Sequence, residues 1–170
     1  MLHRVTARDH RWMDALARRE APPWMDRVLR AVTHGGDATI TIGLTLLLLA
    51  FPGTRHLGCV AGVANLFSHL LVQALKRTVV RPRPTAMLPH VTALANIPDH
   101  FSFPSGHACA SMALAMATVL ITPAAGTLAL LLAFLIGASR VYLRVHYVTD
   151  VVVGQALGAA TAVVVYVTLA

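Results

Sequence analysis

Two imidazoles, a carboxylate and a set of cations occur in this 170-residue chain at spacings that suit phosphoryl chemistry. They fall in three clusters: Lys76-Arg77-Thr78-Val79-Val80-Arg81-Pro82-Arg83-Pro84, Ser102-Phe103-Pro104-Ser105-Gly106-His107, and Ser139-Arg140 followed by His146 and Asp150. Lys76, Arg83 and Arg140 supply fixed positive charge, and an arginine fork matches phosphate oxygens. Ser105 and Gly106 stand where a helix begins, so free backbone N–H groups and the helix dipole favour an anion there, and Gly106 lets the backbone come close. His107 and His146 give two titratable imidazoles. Asp150 follows His146 by four residues; on a helix that spacing brings the carboxylate to the ring, holds one tautomer and leaves the other ring nitrogen free to attack. The set reads as a phosphoryl-transfer site that needs no metal or cofactor. His146 with Asp150 is the nucleophile, His107 the general acid, and Lys76, Arg83, Ser105, Gly106 and Arg140 hold the phosphate. Zinc is the rival reading of such a cluster, and it lacks a His-Glu-x-x-His helix or paired cysteines.

These clusters need elements to carry them. Charged residues make up 12% of the chain, about half the level of a soluble domain. Hydrophobic types reach 56% and mean hydropathy is +0.67, which excludes a disordered polar chain and points to a bilayer. A pI near 10.7 raises nucleic-acid binding, but the basic clusters are separated by membrane-length apolar runs and lack interleaved aromatics. Cys59 and Cys109 lie in apolar stretches and read as packing residues, not a disulfide. The expected fold is all-α, an integral membrane bundle of five spans at about 38–51, 56–75, 106–121, 124–138 and 149–169. Residues 1–36 carry too much charge to span and show no signal-peptide pattern. They read as two amphipathic interfacial helices. One follows the Thr6-Ala7-Arg8-Asp9 start box and presents Trp12, Met13 and Leu16; the other begins at Pro22-Pro23 and presents Trp24, Val28, Ala31 and Val32. A soluble cap is the alternative. His34-Gly35-Gly36 breaks the pattern and Asp37 caps the first span. The chain is then one domain, an interfacial segment 1–36 and a catalytic bundle 37–170.

Two further patterns sit within the spans. Asn65, His69, Gln73 and Lys76 share a helix face and form either a polar track toward the site or ordinary interhelical hydrogen bonds. Gly154 and Gly158 mark close helix packing, with a homodimer face as the second reading. The long connection 77–104 holds five prolines, and a loop of that length in a compact protein usually carries function.

The three clusters resemble the signature motifs of the type 2 phosphatidic acid phosphatase superfamily. Lys-x6-Arg-Pro is matched by Lys76, Arg83 and Pro84; Pro-Ser-Gly-His by Pro104, Ser105, Gly106 and His107; and Ser-Arg-x5-His-x3-Asp by Ser139, Arg140, His146 and Asp150. Trp24-Met25-Asp26 and Thr33–Asp37 also resemble the leading segment of short bacterial members. The resemblance implies that His146 forms a phosphohistidine, Asp150 orients it, His107 protonates the leaving oxygen, and Lys76, Arg83, Ser105, Gly106 and Arg140 bind phosphate. Arg77, Arg81 and Arg144 lie outside the motifs and read as headgroup-contacting or solvated. His3, His10, His34, His56, His90 and His100 read as surface or interface residues.

Five spans place the amino terminus and all three clusters on one membrane face. Thirteen of the 14 basic residues then share that face, with Arg55 alone opposite, and the positive-inside rule predicts a cytoplasmic site on a cell-membrane protein. The expected partners are a lipid phosphate substrate and membrane lipids. A cytoplasmic site favours a polyprenyl-phosphoryl-phosphoribose or phosphatidylglycerophosphate, with undecaprenyl diphosphate as the alternative. A non-catalytic lipid-phosphate binder or transporter is the reading from another class, and both histidines argue against it. A vanadate-dependent peroxidase would need a soluble helical protein.

Overall fold

Apolar periodicity resolves into helices α1 (Leu2–Ala17), α2 (Pro23–Thr33), α3 (Ala38–Ala50), α4 (Arg55–Thr78), α5 (Pro84–Met87), α6 (Gly106–Ile121), α7 (Pro123–Tyr142) and α8 (Val148–Leu169). The computed structural model describes residues 2–19, 21–97 and 99–169, with side chains from residue 6 onward. The side chains of His3 and Arg4, and Pro98 of the long loop, lie outside the described residues. Proline stands at the first turn of α2, α5 and α7, where its missing N–H costs no hydrogen bond.

The five predicted spans correspond to α3, α4, α6, α7 and α8, but not all are long enough to cross alone. Pro52–Thr78, Pro123–Tyr142 and Val148–Leu169 meet the length and apolarity that crossing needs. A fourth span forms only if α2, its 3₁₀ turn and α3 are taken together across a 53° bend. Helix α6 has 16 residues, about 24 Å at 1.5 Å per residue. Its shortness has a physical reason: α6 is the central helix, sheathed by α4, α7 and α8, so it need not match the full hydrocarbon thickness itself. Ala108, Cys109, Met112, Ala113, Ala115 and Ala117 are buried along it. The outer helices turn large apolar groups outward, including Leu47, Phe67, Leu70, Leu131, Phe134 and Val164, as a lipid-facing surface requires.

Small residues let α8 press on α6. A Cβ added at Gly158 would stand 2.2 Å from the Cys109 carbonyl oxygen, and one at Gly154 would stand 2.5 Å from that of Ser105. Packing within the bundle therefore accounts for this glycine pair. Both cysteines are free thiols, Cys109 buried and Cys59 exposed.

The polar track does not form. Asn65 and Lys76 are buried, whereas His69 and Gln73 are exposed and face each other on the outside of α4 at 3.5 Å. The buried stripe runs through Ala64, Ser68, Val72 and Lys76, and His69 and Gln73 each stand one residue, about 100°, round the helix from it.

Helix α1 also departs from a purely headgroup-directed role. Trp12 is exposed, but Met13 is buried against Val91 and Tyr147, and Asp9 is buried with it. The amphipathic helix thus docks its apolar stripe on the loops that carry the polar clusters. Beyond α7 the chain turns through Arg144, at φ 61° the one non-glycine residue in the left-handed region among those described. That conformation costs an L-residue about 1–2 kcal/mol.

Candidate active site

The long loop brings the first two clusters together. Pro82 and Phe101 form an isolated antiparallel bridge, and the Ser102 N–H donates to the Arg81 carbonyl at 2.8 Å. The third cluster divides between two elements: Ser139 and Arg140 end α7, while Asp150 lies in the first turn of α8. His146 lies in the turn between them, two residues before α8 begins.

The expected His146–Asp150 contact forms across this boundary and not along one helix. The two residues do not share a helix, and the His146 Nδ1 stands 3.7 Å from the Asp150 carboxylate. Nδ1–H instead donates to the Ser102 carbonyl at 2.7 Å, which fixes the tautomer and leaves Nε2 with its lone pair. The Arg83 Nη1 lies 3.3 Å from that Nε2. Burial, then the charges of Arg83 and Arg140, hold the ring's pKa down to about 4 against the opposing pull of Asp150. The imidazole is neutral at physiological pH.

Asp150 is fully buried and multiply tied. Its carboxylate accepts from the Ser102 hydroxyl, from the Tyr147 N–H at 2.9 Å and from the Arg81 Nη1 at 2.6 Å. Arg81 also pairs with Asp9 of α1 at 2.8 Å and lies over the Tyr147 ring, 4.1 Å from its centroid. Arg81 is therefore not a solvated or headgroup residue. It joins α1, the long loop and α8 behind the site.

Arg83 and Lys76 share a carboxylate. The Asp99 side chain accepts from the Lys76 Nζ at 2.6 Å and from the Arg83 Nη2 at 2.9 Å, while the Arg83 Nε donates to the Asp99 carbonyl at 2.7 Å. Burial raises the Asp99 pKa, but the two cations outweigh it and hold the carboxyl below its usual range. Arg83 also donates to the Val145 carbonyl at 2.7 Å, fixing its fork beside His146.

Arg140 is almost fully buried and donates from Nη1 to the Thr33 hydroxyl at 3.0 Å. Its Nε and Nη2, and the hydroxyl of the fully buried Ser105, find no hydrogen-bond partner among the described residues. Buried donors are rarely left so unless something else satisfies them. Gly106 opens α6 next to Ser105, and a Cβ there would meet only Val72 at 3.9 Å, so the protein's own packing does not require glycine.

His107 and Arg140 line one cavity of about 370 Å³ with Thr33, His34 and Asp37. The His107 Nε2 is 2.6 Å from one oxygen of Asp37, and the His34 Nδ1 is 2.7 Å from the other. Gly36 leaves room for this ring, since a Cβ at that position would stand 2.9 Å from the His107 Cβ. Ser139 turns its hydroxyl back to the Ile136 carbonyl at 2.6 Å, away from any chemistry.

All eight expected side chains and backbone positions thus converge on one end of the bundle. Arg140 bears on both imidazoles: it lines the cavity with His107, and its charge acts on His146. Four residues to which the sequence reading gave no part in the site join them: Asp37, Arg81, Asp99 and Ser102. Each acts through a partner 16 to 72 positions away, besides the local bonds of Asp37 with His34 and of Asp99 with the Phe101 N–H.

Known proteins resemble this chain in sequence and fold. The chain is 35% identical to the decaprenylphosphoryl-5-phosphoribose phosphatase of Mycobacterium tuberculosis over 146 residues, 84% of this chain and 80% of the relative. It is 33% identical over 151 residues to phosphatidylglycerophosphatase B of Bacillus subtilis, covering 80% of this chain and 71% of that protein. The crystal structure of a transmembrane PAP2-type phosphatidylglycerolphosphate phosphatase from Bacillus subtilis superposes with a TM-score of 0.78 at 29% identity, covering 96% of this chain and 85% of that one. The PAP2 superfamily model matches residues 57–170, from the first turn of α4 through the last helix, and with these likenesses it makes the chain a membrane protein of the PAP2 superfamily.

Proposed function

We propose that the protein is a membrane-integral lipid phosphatase that works through a phosphohistidine. The observation that carries this reading is a pairing: the unprotonated Nε2 of a neutral, buried His146, beside the Arg83 Nη1 at 3.3 Å, and the unpartnered buried donors of Arg140 and Ser105. The Nε2 lone pair attacks phosphorus and the ester P–O bond breaks. The leaving oxygen takes a proton from His107, whose ring Asp37 holds at the cavity wall. Water then attacks the phosphohistidine, returns a proton to His107 and releases inorganic phosphate. Arg83, Arg140, Lys76, Ser105 and the α6 N-terminus at Gly106 carry the charge of the equatorial oxygens. Asp150 stabilises the positive ring from 3.7 Å as a fixed countercharge, acting with the Ser102 carbonyl that orients it.

For the substrate we propose a polyprenyl-phosphoryl-phosphoribose. The Mycobacterium tuberculosis relative named for that activity covers 84% of this chain. A phosphatidylglycerophosphate is the second reading, favoured by the likeness over 96% of this chain to the Bacillus subtilis structure. The site is proposed to face the cytoplasm, on the side that holds 13 of the 14 basic residues. The test is phosphate release by the protein purified in detergent, with chelator present, from a panel of prenyl and glycerolipid phosphates. Release without added metal and inhibition by vanadate are expected, since its five-coordinate form imitates the transition state. His146→Ala should lower kcat by about 10³-fold or more. Near-normal turnover by that variant would overturn the mechanism.

A further inference from the structure

A second cavity, about 400 Å³, lies beside the first; Leu94 of the long loop is a wall of both. Arg19, Met25, Asp26, Tyr142 and Arg144 line it. Arg144 stands two residues before His146 and four after Arg140. Its Nε is buried and has no hydrogen-bond partner among the described residues. The Asp26 carboxylate on the same wall is taken by the Tyr142 hydroxyl, which donates to it at 2.6 Å. The cavity thus presents a guanidinium Nε that no group among the described residues has taken, with Asp26 as the carboxylate on its wall.

The backbone at Arg144 adds an independent observation. The position is a helix-ending left-handed residue, φ 61°, with its N–H donating to the Val141 carbonyl at 2.9 Å. Glycine is the usual occupant of such a position because it has no Cβ to clash. A long basic side chain there is disfavoured by the backbone, so its use rests on what the side chain does. Observed strain of this kind clusters at ligand-binding positions.

We propose that this second cavity binds a second phosphoryl group of the same substrate, separated from the scissile phosphate by a short polyol, with Arg144 as its principal contact. The inference rests on the phosphatase reading of the first cavity and deepens it. It names the substrate class as lipids with two phosphoryl groups across a sugar or glycerol, in preference to simple prenyl monophosphates. Leu94 would then separate the two anions, each with its own arginine.

Arg144→Gly is the natural test because it removes the side chain while relieving the backbone, so the variant is expected to fold at least as well. Arg144→Gln keeps the length and removes the charge. Wild-type protein and both variants would be assayed on a prenyl-phosphoryl-ribose 5-phosphate and on farnesyl phosphate. A loss of about tenfold or more in kcat/KM is expected on the first substrate, through KM, the worth of one charge-assisted contact. Farnesyl phosphate turnover should stay within about twofold of wild type, because it offers the second cavity no phosphate. Equal losses on both substrates would mean that Arg144 supports the fold or ambient headgroups, and no loss would mean an idle cavity; either result overturns the subsite.

A binding arm separates this proposal from the chemistry. Thermal protection should show ribose 1,5-bisphosphate binding about tenfold more tightly than ribose 5-phosphate in wild type, and equally in Arg144→Gly. Equal affinities in wild type would sink the subsite even if turnover is normal. Absent turnover with the affinity difference intact would instead sink the mechanism proposed for His146.

Discussion

His146 keeps its lone pair where protonation is unfavourable, and this has a stability signature. Its pKa is about 4 in the fold against 6.5 in an ordinary imidazole, so below pH 6.5 the unfolded chain binds more protons than the folded one. The stabilisation from keeping this ring neutral is complete above pH 6.5 and is lost as pH falls through 4, on the order of 3 kcal/mol in all. Thermal midpoints in detergent between pH 7 and 4 should fall, and His146→Gln should flatten part of that fall. Asp99 supports a second expectation. Its carboxylate holds the Lys76 and Arg83 donors that an oxyanion would use. Asp99→Asn should therefore strengthen vanadate inhibition severalfold in a titration of phosphate release. Gly106→Ala supports a third: the fold has space for the methyl, so the variant should melt within a few degrees of wild type yet lose about 10²-fold in activity. At this scale the motif histidines and cations were legible from spacing alone. Asp37, Asp99 and Arg81 were not, because an aspartate in a loop looks the same whether its partner is solvent or a buried guanidinium far along the chain.

Helix contacts transmit to the site through α8. The Gly154 contact is with the Ser105 carbonyl, at the residue that begins α6. Gly154→Ala should push that N-terminus and reduce turnover more than stability. Gly158→Leu, one turn deeper against Cys109, should destabilise by about 1–3 kcal/mol or more through overpacking. Comparing melting and activity for the pair checks the division. Arg81→Ala breaks two buried ion pairs, with Asp9 and Asp150, and leaves both carboxylates uncompensated. A loss of about 3–5 kcal/mol is expected, read as a lower melting midpoint. Helix positions followed well from apolar runs: 106–121 coincides with α6, and 149–169 differs from α8 by one residue. What hydropathy could not distinguish was a helix in lipid from a helix wrapped by other helices, so α6 was counted as an ordinary span. Nor could spacing indicate that α8 begins after His146, which is why the helical contact with Asp150 was expected.

Across the whole molecule, charge and packing divide the bundle into two unlike ends. One end holds the cations and the polar network. The other carries Arg55, the first residue of α4, near an apolar cluster of Leu57, Val60, Ala61, Ala113, Leu114 and Val165. If the basic end is cytoplasmic, a cysteine at exposed Ala7 in a Cys59→Ser background should resist an impermeant thiol reagent in intact cells, while one at Gly53 should react. The reverse pattern would invert the orientation. Asp150 ties these scales together, since the same carboxylate that in the proposed mechanism gives the His146 ring its countercharge also pins α8 to the long loop and, through Arg81, to α1. Chemistry and architecture thus draw on one set of atoms. A descendant that abandoned hydrolysis could discard His146 cheaply, but it could not discard this aspartate without first evolving another anchor, so silent cousins of the enzyme should be recognisable by a missing imidazole above an intact acid.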